Sequence, residues 1–372
     1  MRFAIITHVP HIQLQNQYFA YSPYVNEMNI WSKYCDELII VAPIQKGQIT
    51  AIDCSYNSKI IQFVSINQIS LLGLWAVLNT ILKAPKISWQ IFKAMKQADH
   101  IHLRCPGNIG LLGCLVQILF PSKPKTAKYA GNWDPKSKQP WSYRLQKWIL
   151  SNSFLTRNMQ VLVYGEWPNQ TKNIKSFFTA TYQDHDILPL LPKELKGTIN
   201  FVFVGTLVKG KKPLYAVQLV AELWQKGHNV VLRIYGEGVQ RILLESYILK
   251  HKLEGIIVLE GNQNQEIIKK AYQNSHFVVL SSESEGWPKA IAEGMFWGCV
   301  PVATVVSCVP NMLDNGNNGI LLEMNLENDI RQLEAVLDDE SCFQMMSKKG
   351  SDWSRTYTLD AFENEIEKLL RS

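Results

Sequence analysis

Short apolar runs alternate along the chain with longer segments in which apolar residues recur at helical spacing. In the first half, the predicted strands are 3–7, 37–42, 60–64, 100–103 and 128–129, and the predicted helices are 24–34, 74–96 and 141–151. In the second half, the strands are 200–204, 230–235, 256–259, 277–280 and 300–303, and the helices are 213–226, 239–250, 265–273 and 290–297. Strands separated by helices are typical of βαβ units, with a mostly parallel sheet and right-handed crossovers.

Residues 187–197 separate the two halves, because they contain two prolines and a glycine and show no sustained period. We interpret this segment as a linker. The expected organisation is an N-terminal domain over 1–186, a C-terminal domain over 198–354, and a helix within 355–372 that returns toward the N-terminal domain across the hinge. The predicted fold class is α/β, with two Rossmann-like domains facing each other across a cleft. Open sheets of this kind bind ligands at the carboxyl ends of their strands.

The composition fits a globular protein of this size. The chain has 372 residues, of which 47% are hydrophobic and 19% charged, and its formal net charge is +6. We expect no nucleic-acid partner, because no binding motif accompanies the basic excess. Seven cysteines without a CxxC spacing favour a reducing compartment over a disulfide framework or a zinc site. The longest apolar stretches, 71–82 and 111–120, are shorter than the roughly 20 residues that span a bilayer, so a cytoplasmic location is expected.

The densest set of candidate functional residues follows the predicted strand 277–280. The turn Gly286–Trp287–Pro288 leads into a helix, Glu285 lies just before that turn, and Glu293 comes eight residues after Glu285. A helix N-terminus offers free N–H groups to an anion such as a diphosphate. Glu285 is then placed to meet sugar hydroxyls, and Glu293 to meet a ribose. The alternative is that Glu285 only favours the helix start, which is worth roughly a few tenths of a kcal/mol.

This E-x7-E spacing, with the glycine, proline and valine that follow it, closely resembles the signature of family 4 glycosyltransferases of the bacterial surface-polysaccharide type. The matching residues are Glu285, Gly286, Pro288, Glu293, Gly298, Pro301, Val302 and Ala303. Four more segments are similar to elements of that family in the same order: 203–212, 234–238, 258–262 and 318–322. The resemblance covers about 198–350 well and the first half only in architecture. It implies a retaining, nucleotide-sugar-dependent enzyme with the two-domain GT-B fold.

The resemblance also implies roles on the donor side. Glu285 would hold the hexose and stabilise developing charge at C1, Glu293 would hold the ribose, and Lys211 would neutralise the departing diphosphate. A UDP- or GDP-linked sugar is expected as donor, and no metal or organic cofactor is expected, because lysines and a helix N-terminus can take the place of a metal at the diphosphate. The expected donor-binding residues are Gly205, Thr206, Lys209, Lys211, Tyr235, Gly236, Glu237, Gly238, Asn262, Gly286, Trp287, Pro288, Lys289 and Glu293.

The chain departs from the family pattern at the first donor loop. Thr206 stands where relatives carry an arginine, so one positive charge is missing unless Lys209 supplies it from the neighbouring turn. Lys209 and Lys212 are also near alternatives to Lys211 itself. This departure leaves open a degenerate, non-catalytic sugar-nucleotide-binding subunit. A sugar-nucleotide epimerase or a phosphorylase, which share the GT-B fold, is the other alternative.

The first half is expected to bind the acceptor. His8 and His11 lie in the loop after the first strand, where relatives carry glycines, and Arg104 borders the same edge. Asn132, Trp133 and Asp134 follow a strand end at Gly131. We predict that Trp133 faces a sugar, and that Asp134, with Asn132, orients the acceptor hydroxyl. The alternative is a turn-forming Asp-Pro. With Glu285, Asn132 and Asp134 complete the expected catalytic set, and the acceptor-binding set is His8, His11, Trp133 and Arg104.

The stretch 75–96 combines leucine, isoleucine and tryptophan with four lysines. Basic amphipathic helices lie on anionic membrane surfaces, and many relatives use lipid-linked acceptors, so peripheral contact with the inner face of the cytoplasmic membrane is one interpretation. The other is a buried apolar face with solvated lysines opposite. Pro85 is expected to break the stretch into two helices.

Taken together, the sequence predicts a hexosyltransferase. It would move a hexose from a nucleotide diphosphate sugar to a hydroxyl of a glycan or lipid-linked glycan acceptor, with retention of configuration. The expected biological setting is biosynthesis of a surface polysaccharide such as lipopolysaccharide or capsule.

Overall fold

The computed structural model describes residues 1–50, 52–58 and 60–371. Within them the chain divides into two compact units. One contains residues 1–177 together with the chain from Glu363 onward, and the other contains residues 178–362. Each unit is built on a parallel sheet flanked by helices, so the predicted α/β class with two Rossmann-like halves is confirmed.

The first unit contains a seven-stranded parallel sheet in the order β10-β9-β8-β7-β1-β4-β6. A small antiparallel sheet in the order β2-β3-β5 is formed by segments that lie between strands of the parallel sheet along the chain. The strands are β1 Arg2–Ile6, β2 Ile12–Leu14, β3 Gln17–Tyr21, β4 Glu37–Pro43, β5 Asp53–Ser55, β6 Ile61–Ile66, β7 His100–Cys105, β8 Lys125–Tyr129, β9 Met159–Tyr164 and β10 Ile174–Phe177. The helices are α1 Ser22–Ser32, α2 Leu74–Gln97, α3 Asn108–Val116 and α4 Trp141–Leu150.

The second unit contains a six-stranded parallel sheet in the order β13-β12-β11-β14-β15-β16. Its strands are β11 Ile199–Val204, β12 Val230–Tyr235, β13 Ile257–Gly261, β14 Phe277–Leu280, β15 Val300–Thr304 and β16 Ile320–Leu322. Its helices are α5 Pro213–Gln225, α6 Arg241–Lys250, α7 Gln265–Asn274, α8 Lys289–Phe296, α9 Val309–Met312, α10 Leu326–Leu337 and α11 Glu340–Ser354. The last helix, α12 Leu359–Arg371, begins in this unit and ends in the first.

The predicted domain boundaries differ in detail from this division. The first unit ends at Phe177, whereas the sequence placed the end of the first domain at 186. The predicted linker 187–197, all of which is described, contains neither helix nor strand but belongs to the second unit. It is held there by Lys193, whose Nζ donates hydrogen bonds to carbonyl oxygens that follow α7 and α8. Ser372, the last residue of the predicted returning segment, lies outside the described residues.

The expectation that Pro85 divides the stretch 75–96 is wrong, because α2 is one helix that contains Pro85. Proline removes one backbone N–H, so the carbonyl of Ile81, four residues earlier, loses its helical partner. Ile81 is exposed, and water can hydrate that carbonyl at little cost. The helix therefore continues, and its outward face is uninterrupted.

Candidate functional site

The loops after β11 and β12 pack backbone against backbone in the second unit. The N–H of Leu207 donates to the carbonyl of Glu237 over 2.9 Å. A Cβ at Gly236 would lie 1.9 Å from the carbonyl oxygen of Gly205, and one at Gly238 would lie 2.5 Å from that of Leu207. Only glycine allows this approach. Both glycines were predicted to face the donor. What the structure shows directly is that the contact between these two loops requires glycine at both positions.

The lysine turn that follows is fixed by the end of β14. Residues Lys209–Lys211 form a single 3-10 turn, and Lys212 adopts a left-handed conformation with φ of 44°. Ser281 Oγ donates to the carbonyls of Lys211 and Lys212, over 3.1 and 2.7 Å. The N–H of Glu283 donates to the carbonyl oxygen of Gly210 over 2.8 Å. These bonds hold the lysine side chains beside the loop that contains Glu285, and sequence reasoning missed Ser281.

Lys211 and Glu285 form an ion pair, so the structure brings together the two residues on which the donor-side prediction depended. Lys211 Nζ lies 2.5 Å from Glu285 Oε1. The Glu285 side chain is 9% exposed and that of Lys211 is 30% exposed. Next to them, Lys212 Nζ lies 3.3 Å from Glu283 Oε1, and both side chains are more open to solvent. The arrangement places acidic acceptors and cationic donors at one edge of the parallel sheet.

The remaining predicted residues around these loops are exposed, pair locally or, in the case of Tyr235, are buried. Thr206 and Lys209 are exposed, and so is Asn262, which follows β13. Glu237 pairs with Arg241 over 2.5 Å at the start of α6. Tyr235, the last residue of β12, is buried, and this burial raises the pKa of its phenol. These members of the expected donor set are therefore placed together by the loops that carry them, and not by direct contacts between their side chains and Glu285.

The turn Gly286–Trp287–Pro288 is tied to the segment before α9 and to an aromatic group. The carbonyl of Gly286 accepts hydrogen bonds from Ser307 Oγ over 3.0 Å and from Cys308 Sγ over 3.5 Å. Burial raises the pKa of the Cys308 thiol to about 12, so it stays protonated there. Trp287 stacks on Trp353 at 5.9 Å and meets Tyr357 edge-on at 5.3 Å. Trp287 was expected to bind the donor, and its ring packs mainly against other aromatic rings.

Glu293 accepts hydrogen bonds from two hydroxyls of its own unit. Thr181 Oγ1 donates to Oε1 over 2.6 Å, and the Tyr272 hydroxyl donates to Oε2 over 3.2 Å. Burial first, and then the charge of Glu293, raise the pKa of the Tyr272 phenol. Glu293, Thr181, Lys289 and Trp287 line one pocket. Sequence reasoning found Glu293 and Lys289 but missed Thr181 and Tyr272.

In the first unit, the two predicted histidines have different surroundings. His11 is buried, with Nε2 hydrogen-bonded to the hydroxyl of Tyr56 at 2.7 Å and Nδ1 to the carbonyl of Val9 at 2.9 Å. Burial lowers the pKa of His11 to about 4, so the ring is neutral at physiological pH. Both ring nitrogens are already used, which disfavours the predicted acceptor contact. His8 is exposed and lies against Gly107, where a Cβ would meet the His8 ring at 2.7 Å.

Arg104 belongs to a buried charge cluster that the sequence did not reveal. Arg104 Nη1 and Lys128 Nζ approach the same oxygen of Glu27, Oε1, at 2.7 and 3.0 Å. The side chains of Glu27, Arg104 and Lys128 are only 6%, 12% and 0% exposed. Burial alone would raise the pKa of Glu27, but the two cations outweigh it and lower the pKa to about 2. Arg104 is therefore committed to this cluster more than to an open surface.

The predicted acceptor loop after β8 forms a local turn. Asn132 Oδ1 accepts the N–H of Asp134 at 2.9 Å, and Asp134 Oδ1 accepts the N–H of Lys136 at 2.8 Å. These bonds agree with the turn-forming alternative for Asp134. Trp133 was expected to face a sugar, and this placement is wrong: its ring is 3% exposed and packs edge-on against Tyr129. An indole ring with so much apolar surface is more stable in the core of the unit.

Two absences among the described residues concern other kinds of site. No group of three or more His, Cys, Asp or Glu side chains within the described residues is arranged to hold a metal ion. Among the same residues, no helix combines the length and the apolar character that crossing a membrane requires. All seven cysteines are free thiols.

Residues 192–353, which include Lys211, Glu285 and Glu293, match the family model described as "Glycosyl transferases group 1". An uncharacterised glycosyltransferase of Methanocaldococcus jannaschii is 24% identical over 165 residues, which are 44% of this chain and 45% of that protein. The putative colanic acid biosynthesis glycosyltransferase WcaL of Salmonella typhimurium is 24% identical over 186 residues, 47% of this chain and 45% of that protein. This chain thus spans about half the length of the curated relatives it matches. The match to the group 1 family model lies within the second unit.

The fold of the whole chain is shared with solved glycosyltransferase structures. Alr3699/HepE of Anabaena, crystallised in complex with UDP and glucose, has a TM-score of 0.71 at 11% sequence identity, with 100% of this chain and 99% of that chain covered. Identity this low establishes the fold alone. The predicted GT-B fold is confirmed by this likeness together with the parallel sheets of the two units.

Proposed function

We propose that the protein is a retaining hexosyltransferase that moves a hexose from a nucleotide diphosphate sugar to a hydroxyl of a glycan or lipid-linked glycan. The observation that carries the proposal is the ion pair between Lys211 and Glu285, held by glycine-dependent loops inside the group 1 domain. These residue types at this sheet edge suit a donor that combines sugar hydroxyls with a diphosphate.

Lys211 is suited to the leaving group. Its ammonium group has three N–H donors, one of which is directed at Glu285, and its side chain is 30% exposed. The other donors are available to a phosphate oxygen. As the bond from the sugar to the diphosphate breaks, negative charge develops on the phosphate, and a fixed cation lowers the energy of that state. Lys209, exposed on the same turn, is our candidate for the charge that Thr206 does not provide.

Glu285 and Glu293 would divide the rest of the donor between them. The Glu285 carboxylate accepts from Lys211 through one oxygen, and its second oxygen is suited to a hexose hydroxyl. Glu293 would hold the ribose, with the Thr181 and Tyr272 hydroxyls orienting its carboxylate. This division needs no metal ion and no organic cofactor. UDP is the nucleotide that we favour, because HepE, which shares the fold, was crystallised with UDP.

The acceptor belongs to the first unit in this proposal. His8 is the predicted acceptor residue that is exposed in that unit, so we retain it as the first contact to test. The relative WcaL is named for colanic acid biosynthesis, which supports a surface polysaccharide as the product class. The free thiols agree with a cytoplasmic location, where donors of this kind are made.

The test begins with donor binding by the full chain. We expect UDP or a UDP-sugar to raise the melting temperature, because a ligand that binds only the folded state stabilises it. GDP, ADP and their sugars are the comparison ligands. Transfer or slow hydrolysis of the bound donor is then measured for the native chain and for Glu285→Ala. The variant should be slower by roughly 10² to 10³, the usual effect of removing one preorganised polar group from a transition state.

Glu283→Ala is the matched control, because Glu283 lies in the same loop and pairs with Lys212 at the surface. It should retain transfer activity. Equal activity of Glu285→Ala and native protein would remove Glu285 from the mechanism, and no thermal shift with any nucleotide would argue against a donor site. Incubation with donor alone separates an epimerase, which would release a changed sugar nucleotide without acceptor.

A further inference from the structure

Helix α2 presents an apolar face to solvent in the first unit. Five residues of its first three turns are between 53% and 86% exposed: Leu74, Trp75, Leu78, Ile81 and Leu82. Soluble proteins expose single apolar side chains routinely, but contiguous apolar patches mark interaction sites. These five are contiguous, so α2 carries such a patch.

The exposed residues occupy one face of the helix. Their spacing of one, three and four residues places them on a single arc at 3.6 residues per turn. The opposite arc is buried through Ile87, Ile91 and Met95. Since α2 continues through Pro85, the outward arc extends from Leu74 to Trp89, which is 56% exposed. The alternative of a buried apolar face holds for the arc of Ile87, Ile91 and Met95, but it does not account for the exposed apolar arc.

The apolar exposure continues on neighbouring helices of the same unit. Helix α2 contacts α3, and α3 contacts α4. Leu115 on α3, Leu119 just after it and Trp148 on α4 are between 45% and 65% exposed. Exposed apolar side chains therefore also occur on and beside the two helices that follow α2 in the first unit.

The segment of the chain that contains these helices is rich in basic residues. Between residues 60 and 165 the chain has 13 Lys and Arg against two Asp, a charge of +11, whereas the whole chain carries +6. The rest of the protein is thus negative. Helix α2 contains four lysines and no acidic residue, and Lys86, Lys93 and Lys96 are exposed. The overall excess of +6 hides a polarised charge distribution.

We infer that the α2 face is a docking surface for an anionic lipid bilayer, with α2 lying in the plane of the interface. Apolar side chains that include tryptophan would enter the boundary between headgroups and acyl chains, and the lysines beside them would meet anionic headgroups. A nucleic acid would use the lysines but leave the apolar arc in water. Charge and apolar surface together fit the bilayer. This inference depends on the first unit alone and is independent of the donor site.

The test is sedimentation of the full chain with vesicles. Vesicles of phosphatidylglycerol and phosphatidylcholine should bind the protein at low salt, and vesicles of phosphatidylcholine alone should bind it much less. Binding to the anionic vesicles should fall as salt is raised, because salt screens the lysines. Neutralising Lys86 by K86Q should lower the partition coefficient by about fivefold. The double variant W75S/L78S should lower it at least about tenfold.

Ile242→Ser is the matched control, because Ile242 is 76% exposed on α6 of the second unit. It should bind vesicles as the native chain does. All variants change exposed residues, and thermal unfolding together with the UDP shift checks that the fold and donor binding are unchanged. Equal binding by W75S/L78S and native protein would overturn the inference. So would a self-associating native chain that ignores vesicles and that W75S/L78S makes monomeric, since the face would then join two copies.

Discussion

Each unit contains a group of opposite charges at the end of its sheet, and the two groups differ mainly in the burial of their cations. In the first unit, Glu27 meets Arg104 and Lys128, and none of the three side chains is more than 12% exposed. In the second unit, Lys211 meets Glu285, and the lysine is 30% exposed. The buried group is fully committed to the fold, because leaving any of its charges unpaired is costly. The more open pair retains donors for an anionic ligand.

The largest effect is expected from Glu27→Gln. The change leaves Arg104 and Lys128 buried without a counter-ion, which should lower the free energy of unfolding by about 3–5 kcal/mol. Denaturant unfolding of the native and variant chains measures it. Glu363→Gln is the control in the same unit, because Glu363 pairs with the more exposed Lys33. If both variants lost the same small stability, the first-unit cluster would not differ from a surface pair.

The second expected effect concerns the glycine loops of the second unit. Gly236→Ala should destabilise the protein by about 3 kcal/mol, the upper range for overpacking, because the added Cβ meets the carbonyl of Gly205 at 1.9 Å and neither backbone can move away freely. Donor binding should weaken at the same time. Gly255→Ala, where the Cβ meets nothing within 4 Å, should be nearly neutral in both measurements. A stable, donor-binding Gly236→Ala would show that the loops are not held by this contact.

The third prediction concerns pH: acidification should destabilise the first unit more than the second. Burial lowers the pKa of His11 and His100 to about 4 and that of His102 to about 3, all in the first unit. Unfolded histidine titrates near 6.5, so below that pH the unfolded state binds more protons and the folded state loses stability. At pH 5 each histidine should cost about 2 kcal/mol relative to pH 7. Glu27, with a pKa of about 2, stays ionised in this window.

Hydrogen exchange at pH 7 and pH 5 measures this effect for each unit. Peptides from the first unit should lose protection more steeply than those from the second. His100→Gln keeps a hydrogen-bonding group near Thr126 Oγ1, which lies 3.0 Å from His100 Nε2, and should reduce the pH dependence. An unchanged slope in that variant would mean that His100 is not neutral in the folded chain.

Most strands of the two parallel sheets could be predicted from the sequence, because strands buried on both faces appear as continuous apolar runs, but β9, β10 and β16 were not predicted. In β4, for example, Leu38–Ala42 is fully buried. The small sheet β2-β3-β5 was not predicted, because its strands have three to five residues and are partly exposed. Trp133 shows a similar limit. A tryptophan in a polar loop indicates an exposed ring, but in the fold this ring is buried.

The donor site was predictable as far as its residues are close in sequence. Glu285 and Glu293 lie in one strand–turn–helix segment, so their spacing is visible in the chain. The partners of Glu293 are not, because Thr181 is 112 positions away and contacts it only in the folded unit. Glu27 and Arg104 are 77 positions apart, and Glu27 lies in a helix whose pattern gives no sign of a buried charge. Pairings of this kind depend on which strands become neighbours.

The smallest effect on stability, and the sharpest contrast with the first unit, is expected from Lys211→Met. Because the Lys211 side chain is 30% exposed, water compensates for part of the lost ion pair. Glu285, at 9% exposure, loses its counter-ion, so the free energy of unfolding should fall by about 1 to 2 kcal/mol. The same change should weaken UDP binding by about tenfold, because one charged donor to the diphosphate is removed. Denaturant unfolding and calorimetric titration with UDP measure the two effects on one preparation.

A double-mutant cycle with Glu285→Gln gives the coupling between the two side chains, and we expect it to be far smaller than the coupling between Glu27 and Arg104. If Lys211→Met cost as much stability as Glu27→Gln and left UDP binding intact, the pair in the second unit would be structural, and the contrast between the two units would disappear.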